Sequence, residues 1–154
     1  MTIRHNFVKL ATGIFSVASL LSVLSCPQVK AEEVSLDCNN ATLKGIYGFQ
    51  ESGFQGTKAP FTPFSVTRTS VFDGKGNFQG QGYGSVGGNI QQFTTKGAYK
   101  VTKDCSVTIS NSVSLNGTQA QSNQFGVIVK RGSQILVVQT DSGTNQTGVY
   151  VIAK

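Results

Sequence analysis

Two charged side chains are the clearest candidates for chemistry in this chain, and they lie on two segments in which inward and outward residues are expected to alternate. On the first segment Tyr47, Phe49 and Glu51 share one face. On the second, Phe64, Val66 and Arg68 share one face. If both faces line an interior, Glu51 and Arg68 lie on adjacent inner surfaces, where they can pair. Beside Tyr47 and Tyr99 they would form a polar floor for an amphipathic ligand. The alternative is that the two charges lie at a rim, or only satisfy one another inside a filled interior. Glu51 is the candidate general acid or base if the protein is an enzyme.

Histidine is nearly absent, which excludes several catalytic schemes. The one histidine, His5, lies within the first 31 residues. The rest of the chain therefore has no Ser–His triad and no imidazole zinc site. Gly82, Gly84 and Gly87 come close to a dinucleotide-binding pattern, but they lie among alternating strand-like segments and not at a strand-to-helix junction. We predict no metal site and no cofactor.

The start of the chain has the pattern of a secretory signal peptide. Arg4 and Lys9 precede an apolar run over residues 10–24, and Val29-Lys30-Ala31 resembles a cleavage site. This pattern predicts a signal peptide over residues 1–31 and a single domain over residues 32–154. The mature chain contains no predicted transmembrane segment, so we expect a secreted or periplasmic protein.

Three cysteines refine this expectation. Cys38 and Cys105 are far apart in an exported chain, which favours a structural disulfide over a redox pair. Cys26 ends a Val-Leu-Ser-Cys sequence that resembles a lipobox, so lipid anchoring through Cys26 is the alternative to cleavage after Ala31.

The charge of the chain argues against nucleic-acid binding. Of 13 Lys and Arg residues, three lie in the predicted leader; the rest of the chain has ten, together with seven acidic residues. These ten cations are scattered, whereas nucleic-acid binding needs a concentrated basic face. The oligomeric state stays open.

The mature chain alternates polar and apolar residues between glycine-rich turns, which is typical of β-hairpins. Strands are predicted near residues 43–54, 64–72, 77–86, 90–101, 107–113, 125–130, 134–140 and 146–152. A polar loop is expected to begin at Asn116-Gly117, and Gln119 to Gln124 are expected to face outward. Eight such strands predict an all-β fold, an antiparallel up-and-down barrel whose closure removes exposed sheet edges.

Three glycines of the third predicted strand share one face: Gly80, Gly82 and Gly84. Glycine weakens a strand interior, so three glycines at alternate positions of one strand require a physical reason. Barrel curvature is one explanation, and room for large side chains or a ligand across the lumen is the other.

Four segments resemble small exported bacterial proteins of the allene-oxide-cyclase-like barrel group: residues 38–49, 72–78, 97–106 and 139–144. The resemblance implies an eight-stranded calycin-like barrel. Plant allene oxide cyclases close a fatty-acid epoxide inside such a barrel, and dirigent proteins use a similar one to guide radical coupling. Cyclase activity does not follow from the fold, because one fold hosts many functions.

Three functions are compatible with these observations. The leading hypothesis is an exported, non-catalytic barrel that holds a small lipophilic ligand or serves as a structural module. The second is an isomerase or cyclase of the allene-oxide type acting through Glu51. The third is a surface protein that binds polysaccharide or a protein partner through its polar outer face, although the chain lacks the tryptophan common in sugar sites.

Overall fold

A computed structural model describes residues 37–153. The predicted signal peptide over residues 1–31, its cleavage site after Ala31 and the alternative lipidation site Cys26 lie outside the described residues.

Eight antiparallel strands form a closed barrel in which each strand pairs with the next along the chain and the last pairs with the first. The strands are β1 (Lys44–Gln55), β2 (Thr62–Asp73), β3 (Asn77–Val86), β4 (Asn89–Val101), β5 (Ser106–Leu115), β6 (Thr118–Val129), β7 (Gln134–Gln139) and β8 (Thr144–Ile152). Short 3₁₀ helices over Asn40–Thr42 and Lys130–Gly132 precede β1 and link β6 to β7. The predicted eight-stranded up-and-down barrel is confirmed.

The turn between β2 and β3 shows how local sequence directs the chain. Asp73 Oδ1 accepts hydrogen bonds from the backbone N–H groups of Lys75 at 2.6 Å, Gly76 at 3.0 Å and Asn77 at 2.9 Å. The side-chain and backbone N–H groups of Asn77, with that of Lys75, lower the pKa of Asp73 to about 2. Gly74 and Gly76 take positive φ angles of 75° and 114°, which glycine adopts without a Cβ clash.

The sixth strand is longer than predicted. β6 begins at Thr118, whereas the sequence suggested a polar loop up to residue 124. Side chains in this first half are exposed or line the mouth of the barrel, so no apolar alternation marks it as a strand. The outward placement expected for Gln124 is wrong, because this residue is buried.

The glycines of β3 fit both predicted explanations, barrel curvature and room in the lumen. A Cβ on Gly82 would overlap the carbonyl oxygen of Thr67 and would lie 2.5 Å from the Cβ of Arg68. Gly82 therefore permits the close approach of β2 and β3 that a curved barrel requires. Gly84 instead lines a cavity, and its missing side chain leaves room beside Val66 and Phe93.

One end of the barrel is filled with aromatic side chains, and we call it the filled end. Phe72 lies at its centre, with its ring centroid 5.1–5.5 Å from those of Tyr47, Phe78, Tyr99 and Tyr150. Edge-to-face and stacked pairs of this kind add to the stabilisation from burial. The filled end is thus a packed core without a lumen.

The segment before β1 is fastened to the filled end. Cys38 and Cys105 form a disulfide, as predicted, with their Cα atoms 5.0 Å apart. Leu43 is fully buried at the same end. No helix among residues 37–153 is long and apolar enough to cross a membrane.

Candidate functional site

The barrel end opposite the aromatic core contains a cavity of about 590 Å³. This volume lies within the range of roughly 300–1,000 Å³ that is usual for small-molecule sites. The cavity extends from the middle of the barrel to the mouth, where Asn89 and Thr118 line it. All strands contribute to its lining or its rim, so barrel closure creates it.

The walls of the cavity are mainly apolar. They are formed by Phe64, Val66, Val86, Phe93, Val113 and Leu115. These side chains point inward because they occupy alternate positions on β2 to β5, as the period-two pattern predicts. Such walls favour an apolar occupant.

A chain of four buried polar side chains lies at the inner end of the cavity, and two of them, Glu51 and Arg68, line it. Gln124 Nε2 donates to Glu51 Oε1 at 2.9 Å, and the Tyr150 hydroxyl donates to Gln124 Oε1 at 3.1 Å. Arg68 Nη2 in turn donates to the Tyr150 hydroxyl oxygen. We call these four residues, Glu51, Gln124, Tyr150 and Arg68, the floor network. Four different strands supply them, so only the closed barrel brings them together.

The floor network connects two charges that do not meet directly. Glu51 and Arg68 lie on the adjacent inner surfaces that the sequence predicted, and both are buried and line the cavity. No direct hydrogen bond joins them within the described residues. Tyr150 and Gln124 bridge the pair instead.

Burial and neighbouring groups set the protonation of the floor. Desolvation raises the pKa of Glu51 above its ordinary value, although the Gln124 hydrogen bond and the Arg68 charge act in the opposite direction. Desolvation likewise raises the pKa of Tyr150, against the opposing charge of Arg68. Both groups therefore ionise at higher pH than they would in water.

Arg68 rests on an aromatic surface below the cavity. Its guanidinium carbon lies 4.3 Å from the centroid of the Phe49 ring, a cation–π distance. Phe49 also packs against Tyr150, with 4.1 Å between ring centroids. Phe49 thus supports the floor from beneath and does not line the cavity.

The other two tyrosines expected at the floor lie elsewhere. Tyr47 donates its hydroxyl hydrogen to the carbonyl of Gly132 at 2.7 Å, and Tyr99 donates to the carbonyl of Leu43 at 2.8 Å. Both belong to the filled end, and Tyr150 occupies the place expected for them. In the sequence, Tyr150 shares an inward register with Gln146 on the predicted last strand, so alternation could have identified it.

Two side chains that line the cavity each have a donor nitrogen with no hydrogen-bond partner among residues 37–153. These donors are Arg68 Nε and Gln146 Nε2, on side chains that are 6% and 2% exposed. Buried polar atoms are nearly always paired, so such atoms mark a site that can accept a further partner. Ser70 Oγ also has no partner among residues 37–153, but it does not line the cavity.

The described residues contain no cluster of three or more His, Cys, Asp or Glu side chains that could hold a metal ion.

Known proteins add little to this geometry. No protein-family model and no curated protein matches the chain. Among solved structures, the chain is similar to a redesigned β-barrel, with 13% sequence identity and a TM-score of 0.48. That alignment covers 78% of this chain and 99% of the redesigned barrel.

Proposed function

We propose that this protein is an exported, non-catalytic binding protein that holds a small lipophilic molecule in the cavity of its barrel. The observation that carries the proposal is the contrast between the two ends of the lumen. Aromatic side chains fill one end, whereas the other keeps a cavity of about 590 Å³ with apolar walls and a polar floor. Burial of an apolar ligand against these walls would supply the driving force.

Narrowing the cavity tests this function. In Val113→Trp a large side chain would project from the β5 wall into the cavity, since Val113 lines it. Ser114→Trp is the matched control, because Ser114 is the next residue on β5 and does not line the cavity. Native mass spectrometry should show lipid-like compounds retained by the wild type and by Ser114→Trp, and lost from Val113→Trp. Equal retention by both variants would contradict binding in the cavity.

The proposed export rests on the leader-like residues 1–31 and is supported by the Cys38–Cys105 disulfide, a bond typical of oxidising compartments. The intact mass of the protein recovered after expression in a bacterial host tests it. Cleavage after Ala31 leaves a mature chain beginning at Glu32, whereas lipid anchoring leaves a chain beginning at a lipidated Cys26. A full-length mass would contradict export.

We further propose that the barrel is related to the allene-oxide-cyclase-like group, on the resemblance of four of its segments, and this makes an isomerase or cyclase the second candidate. The observation that favours it is the position of Glu51, buried at the cavity floor with a raised pKa suited to general acid or base work. Turnover of a fatty-acid epoxide that falls at least tenfold in Glu51→Gln would support this activity. Unchanged turnover would contradict the role of Glu51.

A further inference from the structure

The two donors without partners lie on either side of Glu51. Arg68 belongs to β2, Glu51 to β1 and Gln146 to β8, and these strands are direct neighbours in the barrel. Arg68 Nε and Gln146 Nε2 have no hydrogen-bond partner anywhere in residues 37–153. Both side chains line the cavity floor. A ligand whose oxygen atoms reach the floor would offer these two buried donors an acceptor.

A glycine shapes the space between these donors. Gly148 pairs with Glu51 across β1 and β8, and it lies between Gln146 and Tyr150 on the inward face of β8. A Cβ on Gly148 would lie 3.1 Å from the Cβ of Glu51 and 3.0 Å from Cε2 of Phe49. The glycine thus keeps the floor beside Glu51 free of a further side chain.

The charge of the floor favours an anion. The Arg68 guanidinium carries a positive charge. No hydrogen bond or ion pair joins Glu51 directly to Arg68 within residues 37–153, so the guanidinium has no carboxylate in contact with it. Guanidinium and amide N–H groups are the donors that bind carboxylate and similar oxyanions best, and charged hydrogen bonds are stronger than neutral ones.

Building on the proposed binding function, we propose that the lumen holds an amphipathic anion head-first, with its charged group bound by Arg68 and Gln146. The apolar part of the ligand lies toward the mouth, against the walls that include Phe64, Phe93 and Leu115. Arg68 and Gln146 are the residues that select the head group.

Glu51 makes this binding depend on protons. An anion beside Glu51 opposes its ionisation by like-charge repulsion, so anion binding is coupled to proton uptake by Glu51. The ionisable groups around Glu51 are Arg68 on β2 and Tyr150 on β8, while Gln124 of β6 is its neutral partner. Asp141, which follows β7, lines the same cavity. Affinity for the anion should therefore fall as pH rises, and Glu51→Gln should bind the anion more tightly at alkaline pH and lose most of this dependence.

Three ligands of one chain length test the head group: decanoate, decanol and decylamine. Their affinities for the full mature protein are measured by calorimetry at neutral pH. We expect decanoate to bind about tenfold or more tighter than decanol, the effect of one charged hydrogen bond. Decylamine should bind most weakly. Arg68→Met and Gln146→Leu should each reduce the affinity for decanoate and leave that for decanol nearly unchanged. Gln121→Leu is the matched control, because Gln121 is an exposed amide that also lines the cavity.

The outcomes separate this inference from the proposed function. Two results would overturn the anion site and leave lipophilic binding intact. One is equal affinity for decanoate and decanol. The other is a preference for decanoate that survives in folded Gln146→Leu and folded Arg68→Met proteins. If Arg68→Met does not fold, Gln146→Leu decides alone. Absence of binding by all three ligands would overturn the binding function itself.

Discussion

Tyr150→Phe should be among the most destabilising single-atom deletions in the described barrel. The Tyr150 hydroxyl is the middle of the floor network: it accepts from the charged Arg68 and donates to Gln124 Oε1. Tyr150 is fully buried, and its ring packs against Phe49 and Phe72. Phenylalanine keeps the ring and its packing and removes the oxygen alone. The variant therefore reports on the hydrogen bonds of the network and not on a cavity in the core.

The expected loss follows from the two partners. A hydrogen bond to a charged group contributes about 1.5–3 kcal/mol and a neutral one about 0.5–1.5 kcal/mol. Tyr150→Phe removes one of each and leaves buried groups behind, so we expect a loss of about 2–4 kcal/mol in the free energy of unfolding. Tyr47→Phe is the matched control, because its buried hydroxyl makes one neutral bond to the carbonyl of Gly132. It should cost about 0.5–1.5 kcal/mol.

Urea denaturation at neutral pH measures both losses, with equal denaturant slopes as evidence that the comparison is valid. The reasoning is refuted if Tyr150→Phe costs no more than Tyr47→Phe. That result would mean that the network makes no larger contribution to stability than one isolated buried hydrogen bond, in spite of its charge.

Three further predictions address the floor, the curvature and the disulfide. Because the pKa of Glu51 is raised in the folded protein, protonated Glu51 stabilises the fold at acidic pH, and this stabilisation is lost as pH rises through the folded pKa. The free energy of unfolding of Glu51→Gln relative to wild type, measured by urea denaturation, should therefore grow from acidic to neutral pH. A difference that does not change with pH would contradict the shift. Gly82→Ala should cost about 1–3 kcal/mol, as overpacking does, whereas Gly48→Ala, whose Cβ meets only one atom at 3.9 Å, should be nearly neutral; equal thermal midpoints would exclude the close approach of β2 and β3. Replacing Cys38 and Cys105 by serine opens a loop with a sequence separation of 67 and should cost about 4 kcal/mol on the chain-entropy argument, measured by urea denaturation under non-reducing conditions. A reductant should then destabilise the wild type alone.

Most strands could be predicted because each buries one face. On β2, alternate residues from Val66 to Phe72 are buried, and the apolar residues Phe64, Val66 and Phe72 mark this face in the sequence. The β2–β3 turn was equally legible, since Asp73 and two glycines provide the oxygen acceptor and the positive φ angles it needs. The disulfide followed from the isolation of Cys38 and Cys105.

The first half of β6 could not be predicted for a specific reason. Residues 118–123 of this strand lie beside the cavity mouth, where neither face packs against a core. Without a buried face, alternation carries no signal, and the polar run has the composition of a loop. Gln124 directly follows this polar run, and in the barrel it is buried and hydrogen-bonded to Glu51 and Tyr150.

On the strands whose alternation was visible, the sequence by itself determined which side chains point inward, including Glu51 and Arg68, because neighbouring residues of a strand face opposite sides of the sheet. It did not determine how high each inward side chain stands in the barrel, or which strand faces it. Closure between β1 and β8 and the register of every pair decided those. They placed Tyr150 beside Arg68 and Gln124 beside Glu51, across separations of 82 and 73 residues. Such neighbours depend on long-range pairing, so only the tertiary structure could assemble the floor and leave Tyr47 and Tyr99 in the filled end.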